Sequence, residues 1–200
     1  MMDIILASGS AGRKALFDGA GIKYIAAESG FDETEIMAAG LPPDITVERI
    51  AYNKALAACE KYDRGVIIAA DTIVSLDGKI FGKPEGENGA FNMLKALAGK
   101  KQLVYTGVCV VMKNFEEKIF KTFHAVSSVK FINLSDGEIR AYAATGEPEG
   151  KSGSYTVLGA GAMLIESIEG EHTNVVGLPM SKLYVCLRGL GIDLFGNNLK

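Results

Sequence analysis

The chain has 200 residues and a formal net charge of −3, with 48% hydrophobic and 22% charged residues. This is the composition of a globular protein and excludes wholesale disorder. Without a long basic block, double-stranded nucleic acid is excluded as the main partner, because binding there rests on neutralising phosphates; a small anion held by a few local cations is not excluded.

The longest apolar runs, such as Val66–Ala70 and Val108–Met112, fall far below membrane-span length, so no membrane partner is expected. The early acid Asp3 and the lack of a cationic flank do not read as a signal peptide. Cys59, Cys109 and Cys186 are far apart and odd in number, which gives neither a disulfide framework nor a zinc spacing. The expectation is a soluble, reduced, cytoplasmic protein.

Ile4–Ala7 reads as a short strand, Ser8-Gly9-Ser10 as a tight turn, and Ala11–Phe17 as a helix stopped near Gly19 and Gly21. Lys23–Ala26 is a second short strand, and the polar, Pro- and Gly-marked stretch 29–43 is expected to be an irregular loop. Asp44 or Thr46 can cap a helix running to about Lys61. Val66–Leu76, Asp77-Gly78 and Lys79-Ile80-Phe81 form a hairpin with the two-residue turn that right-twisted strands favour. A helix over Glu87–Ala98 stops at Gly99, and Leu103–Met112, Lys118–Phe123 and Ser127–Ile132 follow as strands. Ser135-Asp136-Gly137-Glu138 is a capping box opening a helix to about Ala144. Ala162–Ile168 reads as a strand and Pro179–Leu190 as a closing helix. The mixture is α/β, with a mixed sheet.

Local rules fail at a few positions, which is where functional sites are expected. Asp71 interrupts a run, Val66–Val74, that otherwise reads as a buried strand, so its carboxylate needs a cation, a metal or a special protonation state. The plainer alternative is an acid at a strand end, facing solvent. Lys54 falls in the middle of the apolar helical face Val47, Ile50, Ala51, Ala55, Ala58; it either snorkels to solvent or points into a cleft. Ser8, Ser10 and Arg13 surround a helix start whose free N–H groups suit a phosphate, although Ser10 also reads as an ordinary N-cap and the motif is no Walker loop. Lys83, biased to an extended conformation by Pro84, follows the hairpin; taken by itself it reads as an exposed loop lysine. Sequential β–α elements bring such loop ends to one rim of a sheet. Asp71 with an acid from Asp32-Glu33 suits a hard divalent cation, which takes one or two carboxylates plus substrate phosphates. His124 and His172 have no metal-ligand spacing.

Leu6-Ala7-Ser8-Gly9-Ser10-Ala11-Gly12-Arg13 resembles the opening signature of the Maf family of nucleoside triphosphate pyrophosphatases. The likeness continues in order through Phe31-Asp32-Glu33, Arg49-Ile50-Ala51 with Lys54-Ala55, Ala70-Asp71-Thr72-Ile73-Val74, Gly82-Lys83-Pro84 and Tyr105-Thr106-Gly107-Val108. Gly146-Glu147-Pro148, Lys151-Ser152-Gly153-Ser154-Tyr155 and Asn174-Val175-Val176-Gly177-Leu178-Pro179 complete it, so it spans almost the whole chain.

The resemblance implies a single domain over residues 1–200, in the Maf/ITPase-like architecture: a two-lobed mixed β-sheet with flanking helices and a central cleft. It implies hydrolysis between the α- and β-phosphates of nucleoside triphosphates, non-standard or pyrimidine ones among them, to monophosphate and pyrophosphate. Magnesium or manganese is the implied cofactor, and house-cleaning the implied role. Family members are often homodimers, and the family has been linked to septum formation. By position, Asp71 is the implied catalytic carboxylate, Glu33 the second metal-side acid, and Ser8, Ser10, Arg13, Lys54 and Lys83 the phosphate-binding set. Thr72 lies beside the reacting centre, and Lys151 and Tyr155 line the base end.

The chain departs from the family pattern in several places. Ala11-Gly12 stands where Pro-Arg is usual, Gln102 where His is common, and Gly150 where an acid is usual. Leu158 stands where many members have a Gln associated with base recognition, and an apolar side chain cannot read a base edge by hydrogen bonds. The missing arginine motivates a second reading, a nucleotide-binding regulator of cell division with weak or lost catalysis. A phosphate-binding α/β domain acting on another phosphoester is a third.

Overall fold

The computed structural model describes residues 2–197. Its strands are β1 (Ile4–Ala7), β2 (Ile25–Ala27), β3 (Arg64–Leu76), β4 (Lys79–Phe81), β5 (Lys101–Asn114), β6 (Glu117–Phe131) and β7 (Ile165–Glu169). The helices are α1 (Ala11–Gly19), α2 (Thr34–Ala38), α3 (Pro43–Cys59), α4 (Gly86–Leu97), α5 (Asp136–Ala143), α6 (His172–Val176), α7 (Met180–Gly189) and α8 (Leu194–Asn197). The strands make one seven-stranded mixed sheet in the order β2-β1-β3-β5-β6-β7, with β4 on β3. The parallel pairs are β1 with β2 and β1 with β3, whereas β3–β4 and β6–β7 are antiparallel. No helix among the described residues is long and apolar enough to cross a membrane.

The chain divides into two compact units. The first holds the residues up to Asp71, Thr106–Ala125, and those from Gly177 on. Its strands β1, β3 and β5 are buried on both faces, as their continuous apolar runs require, whereas β2 is largely exposed. Ile4 and Leu6 of β1, Val66 and Ile68 of β3 and Val108 and Val110 of β5 pack with Phe17, Leu183 and Leu187 from α1 and α7. The alternate positions Ile5, Ala7, Ile67, Ala69, Cys109 and Val111 pack with Ala51, Ala55, Ala58 and Cys59 of α3. β5 passes so close to α3 that a Cβ on Gly107 would lie 2.3 Å from the Val47 carbonyl oxygen, so only glycine fits there.

The second unit holds Thr72–Tyr105 and Val126–Val176. Its core gathers Val74, Phe81, Val104, Val129 and Phe131 from strands with Leu94, Leu97, Ile139 and Tyr142 from α4 and α5. The β3–β4 turn has positive φ at both Asp77 (52°) and Gly78 (80°), as its Asp-Gly sequence predicts. The capping box is present: the Ser135 hydroxyl accepts from the Glu138 N–H while the Glu138 carboxylate accepts from the Ser135 N–H.

Several sequence expectations are corrected. The expected loop over 29–43 contains α2, opened by Asp32, whose carboxylate accepts from the Thr34 N–H and hydroxyl. The next helix begins at Pro43, where the missing N–H costs nothing. Thr46 does not cap it; its hydroxyl donates to the Pro42 carbonyl. The two strands expected over Lys118–Phe123 and Ser127–Ile132 are one 15-residue strand, β6, because pairing with β5 overrides the polar interruption. The strand expected from Ala162 begins at Ile165, after a 3-10 turn over Ala160–Leu164. The small helices α6 and α8 carry no periodic signal long enough to read.

Candidate functional site

Asp71 continues the alternation of β3. After Ile67 and Ala69, the next side chain on that face of the strand is that of residue 71, and the face is the one α3 covers. Lys54 lies on the same side of α3 as Ala51, Ala55 and Ala58, so strand and helix periodicities converge on one point. There the Lys54 ammonium donates to Asp71 Oδ1 at 2.7 Å and also to Glu33 Oε2. The lysine does not snorkel to solvent but is largely buried: its side chain is 14% exposed, against 10% for Asp71 and 26% for Glu33. Glu33 arrives from the residue that precedes α2. Of the two adjacent acids, the fold brings Glu33 to Lys54 and leaves Asp32 exposed, capping its own turn.

Burial pushes the Asp71 carboxyl above its ordinary value, and the Glu33 charge adds to that. The ammonium of Lys54 and the guanidinium of Arg13 pull the other way without cancelling the rise.

Arg13 is itself buried, and desolvation lowers its pKa while the charges of Asp71 and Glu33 oppose the shift. Its Nε donates to the Gly177 carbonyl at 2.7 Å, and one terminal nitrogen donates to Ser8 Oγ at 3.0 Å. The same hydroxyl oxygen accepts from the Ser10 N–H at 3.2 Å. Ser10 is the extended residue before α1 and makes no side-chain capping bond, so its expected N-cap bond is absent. In the first unit, therefore, Ser8, Ser10 and Arg13 form one hydrogen-bonded group around the α1 start, and Glu33, Lys54 and Asp71 form another.

The remaining predicted residues belong to the second unit. Thr72 follows Asp71 on β3, and its carbonyl accepts from the Ser152 hydroxyl. Lys83 is exposed just beyond β4. The Lys151 ammonium folds back on its own loop and donates to the Glu147 carbonyl. Tyr155 is buried in the core, its ring edge-on to Phe131 at 4.8 Å. Leu158 is 52% exposed.

Sequence reasoning gave no role to Glu147, whose carboxylate accepts from the N–H groups of Ala160 and Gly161 and from the Tyr142 hydroxyl. Burial works against its charge, yet those bonds outweigh it and hold its pKa below the usual carboxylate value. The Gly-Glu-Pro and Gly-x-Gly spacing was the available signal. A Cβ at Gly159 would strike the Glu147 carboxylate, and one at Gly161 the Thr156 carbonyl.

The family profile described as "Maf-like protein" matches residues 3–190. The chain is 39% identical over 183 residues to the dTTP/UTP pyrophosphatase of Ruminiclostridium cellulolyticum, covering 92% of this chain and 93% of that one. It is 40% identical over 195 residues to the protein of that name from Clostridium tetani, covering 96% and 100%. For Clostridioides difficile the identity is 37% over 195 residues, covering 97% and 98%. Among solved structures, the Staphylococcus aureus Ham1 protein aligns with a TM-score of 0.49 at 14% identity, over 94% of this chain and 99% of that one.

Proposed function

The chain belongs to the Maf-like family, and from that premise we propose that it hydrolyses the α–β phosphoanhydride bond of nucleoside triphosphates, releasing a monophosphate and pyrophosphate. The observation that carries this reading is the Lys54 ammonium held between the Glu33 and Asp71 carboxylates. Attack of water on a phosphorus needs a proton acceptor, charge compensation and alignment, and no protein nucleophile. Asp71 is the proton acceptor. Its raised pKa brings it nearer to neutrality, where a base combines an ionised state with a useful affinity for the proton. Lys54 keeps that carboxylate ionised and fixed in direction. Ser8, Ser10, Arg13 and Lys83 are assigned to the phosphate chain, Arg13 by ordering Ser8 and the α1 start as well as by its charge. Thr72, Lys151 and Tyr155 are assigned to the nucleoside side, with Tyr155 acting from within the core.

The carboxylates of Glu33 and Asp71 fit a magnesium or manganese ion. Both are hard oxygen donors, and such an ion takes one or two carboxylates and completes its shell with substrate oxygens and water. When bound, such an ion neutralises charge on the phosphates and lowers the pKa of a coordinated water.

The names of the relatives put dTTP and UTP first among the triphosphates to try. The exposed, apolar Leu158 offers no hydrogen bond to a base edge, so the base is read by other groups. The test is pyrophosphate release from a panel of natural and modified triphosphates with magnesium or manganese. Asp71→Asn is expected to lower turnover at least about 100-fold. Undiminished turnover in Asp71→Asn, orthophosphate as the product, or stabilisation by nucleotide without hydrolysis would each overturn the reading.

A further inference from the structure

Pairing between β3 and β4 runs from Leu76 opposite Lys79 to Val74 opposite Phe81, and stops there. Carried two residues further, the same antiparallel register would set Lys83 opposite Thr72, the residue that follows Asp71. β4 itself ends at Phe81, and a 3-10 turn, Ser152–Ser154, bonds to the chain on both sides there. The Ser152 hydroxyl donates to the Thr72 carbonyl at 2.7 Å, and the Gly153 N–H donates to the Gly82 carbonyl at 3.0 Å. One turn thus grips the main chain of β3 and of the residue just past β4, next to Asp71 and Lys83.

The turn holds an unfavourable shape to do this. Gly153 and Ser154 both have positive φ, 72° and 66°, and the second is a conformation that a residue with a side chain rarely adopts. A Cβ at Gly153 would lie 2.7 Å from Val74 Cγ2, so the turn packs directly on β3. Ser154 is fully buried, its N–H donates to the Lys151 carbonyl at 3.0 Å and its hydroxyl contacts Met93 Sδ at 3.2 Å. Surroundings that over-determine a strained backbone are a feature of sites where geometry matters.

We propose that Ser152 is a positioning residue for the hydrolysis: with Gly153 it fixes the Thr72 and Gly82 peptides, and through them the main chain that carries Asp71 and Lys83. The inference rests on the roles given above to those two residues. A bond to the Thr72 carbonyl restrains rotation of a peptide one residue from the base, and small misplacements of reacting groups cost far more rate than binding.

The test measures kcat and KM for pyrophosphate release from the triphosphate that the wild type cleaves fastest. Ser152→Ala is expected to lower kcat about tenfold with KM within about twofold, and Ser152→Thr, which keeps the hydroxyl, to recover most of the loss. In a Lys83→Ala background the further loss from Ser152→Ala is expected to shrink to less than about threefold, because both changes act on the chain that the Ser152–Ser154 turn holds. If Ser152→Ala does not fold, Ser152→Thr against Ser152→Val makes the same comparison at nearly constant volume. An unchanged kcat, a loss confined to KM, or a full additive loss on top of Lys83→Ala overturns the proposal. Loss of turnover in Asp71→Asn and Lys83→Ala but not in Ser152→Ala removes the clamp alone. Wild-type turnover in all three removes the site reading and the clamp with it.

Discussion

At Asp71 and Lys54, stability and the proposed chemistry pull in opposite directions. Burial raises the Asp71 pKa from its ordinary 3.8, so the folded chain holds that proton more tightly than the unfolded one. Its contribution to stability is therefore fully present below the unfolded value and is lost as pH rises through the raised one. Asp71→Asn has no such proton to lose. Thermal melts from acid to neutral pH are expected to show the variant gaining on the wild type as pH climbs through that window and then holding its lead. A wild type that gains on the variant would mean that Lys54 and Arg13 more than offset the burial. Lys54→Gln removes the strongest charge opposing the rise in Asp71 and leaves Arg13 to oppose burial and the Glu33 charge without it. The acid limb of the kcat/KM profile, which reports ionisation of the base, is expected to move to higher pH, with the deficit at neutral pH partly recovered in alkali. An acid limb that stays in place would exclude Asp71 as the group titrating there.

At the scale of elements, the placement of α3 depends on how closely β5 approaches it. Gly107 permits that approach, and an added methyl would meet the Val47 carbonyl oxygen, its carbon and the Glu48 nitrogen, all main-chain atoms that cannot swing aside. Gly107→Ala is expected to cost on the order of 3 kcal/mol, a fall in Tm of roughly 6–12 °C for a chain of this size. Because α3 carries Lys54, kcat is expected to fall as well at temperatures where the variant is still folded. A melt within about 2 °C of the wild type would mean that helix and strand separate at little cost. The same scale explains why α3 starts at Pro43: proline supplies the helical φ and gives up only an N–H that the first turn leaves unpaired. The capping box at Ser135 and the hairpin at Asp77-Gly78 are likewise local devices, and both were legible as residue types at fixed spacing.

At the scale of the whole molecule, composition and patterning state the fold class, and the alternation of β3 and the periodicity of α3 each single out one anomalous charged residue. Those signals are local, so a sequence reading reaches them. It does not separate Asp32 from Glu33, because adjacent acids differ only in which way the chain turns after them; the structure gives the first to a turn and the second to Lys54. Nor does it find the linkage of Arg13 to Gly177, of Glu147 to the loop at Ala160 and Gly161, or of Ser152 to Thr72. The sequence by itself determined the elements with strong periodicity, the caps and turns, and the residue types able to handle a polyphosphate. Only the tertiary structure decided which of those residues meet, and that pairing is set by strand register and by loops whose bonds span from 13 to 164 residues of chain. Over such separations a side chain's partner depends on every element packed between, and no short window of sequence contains it.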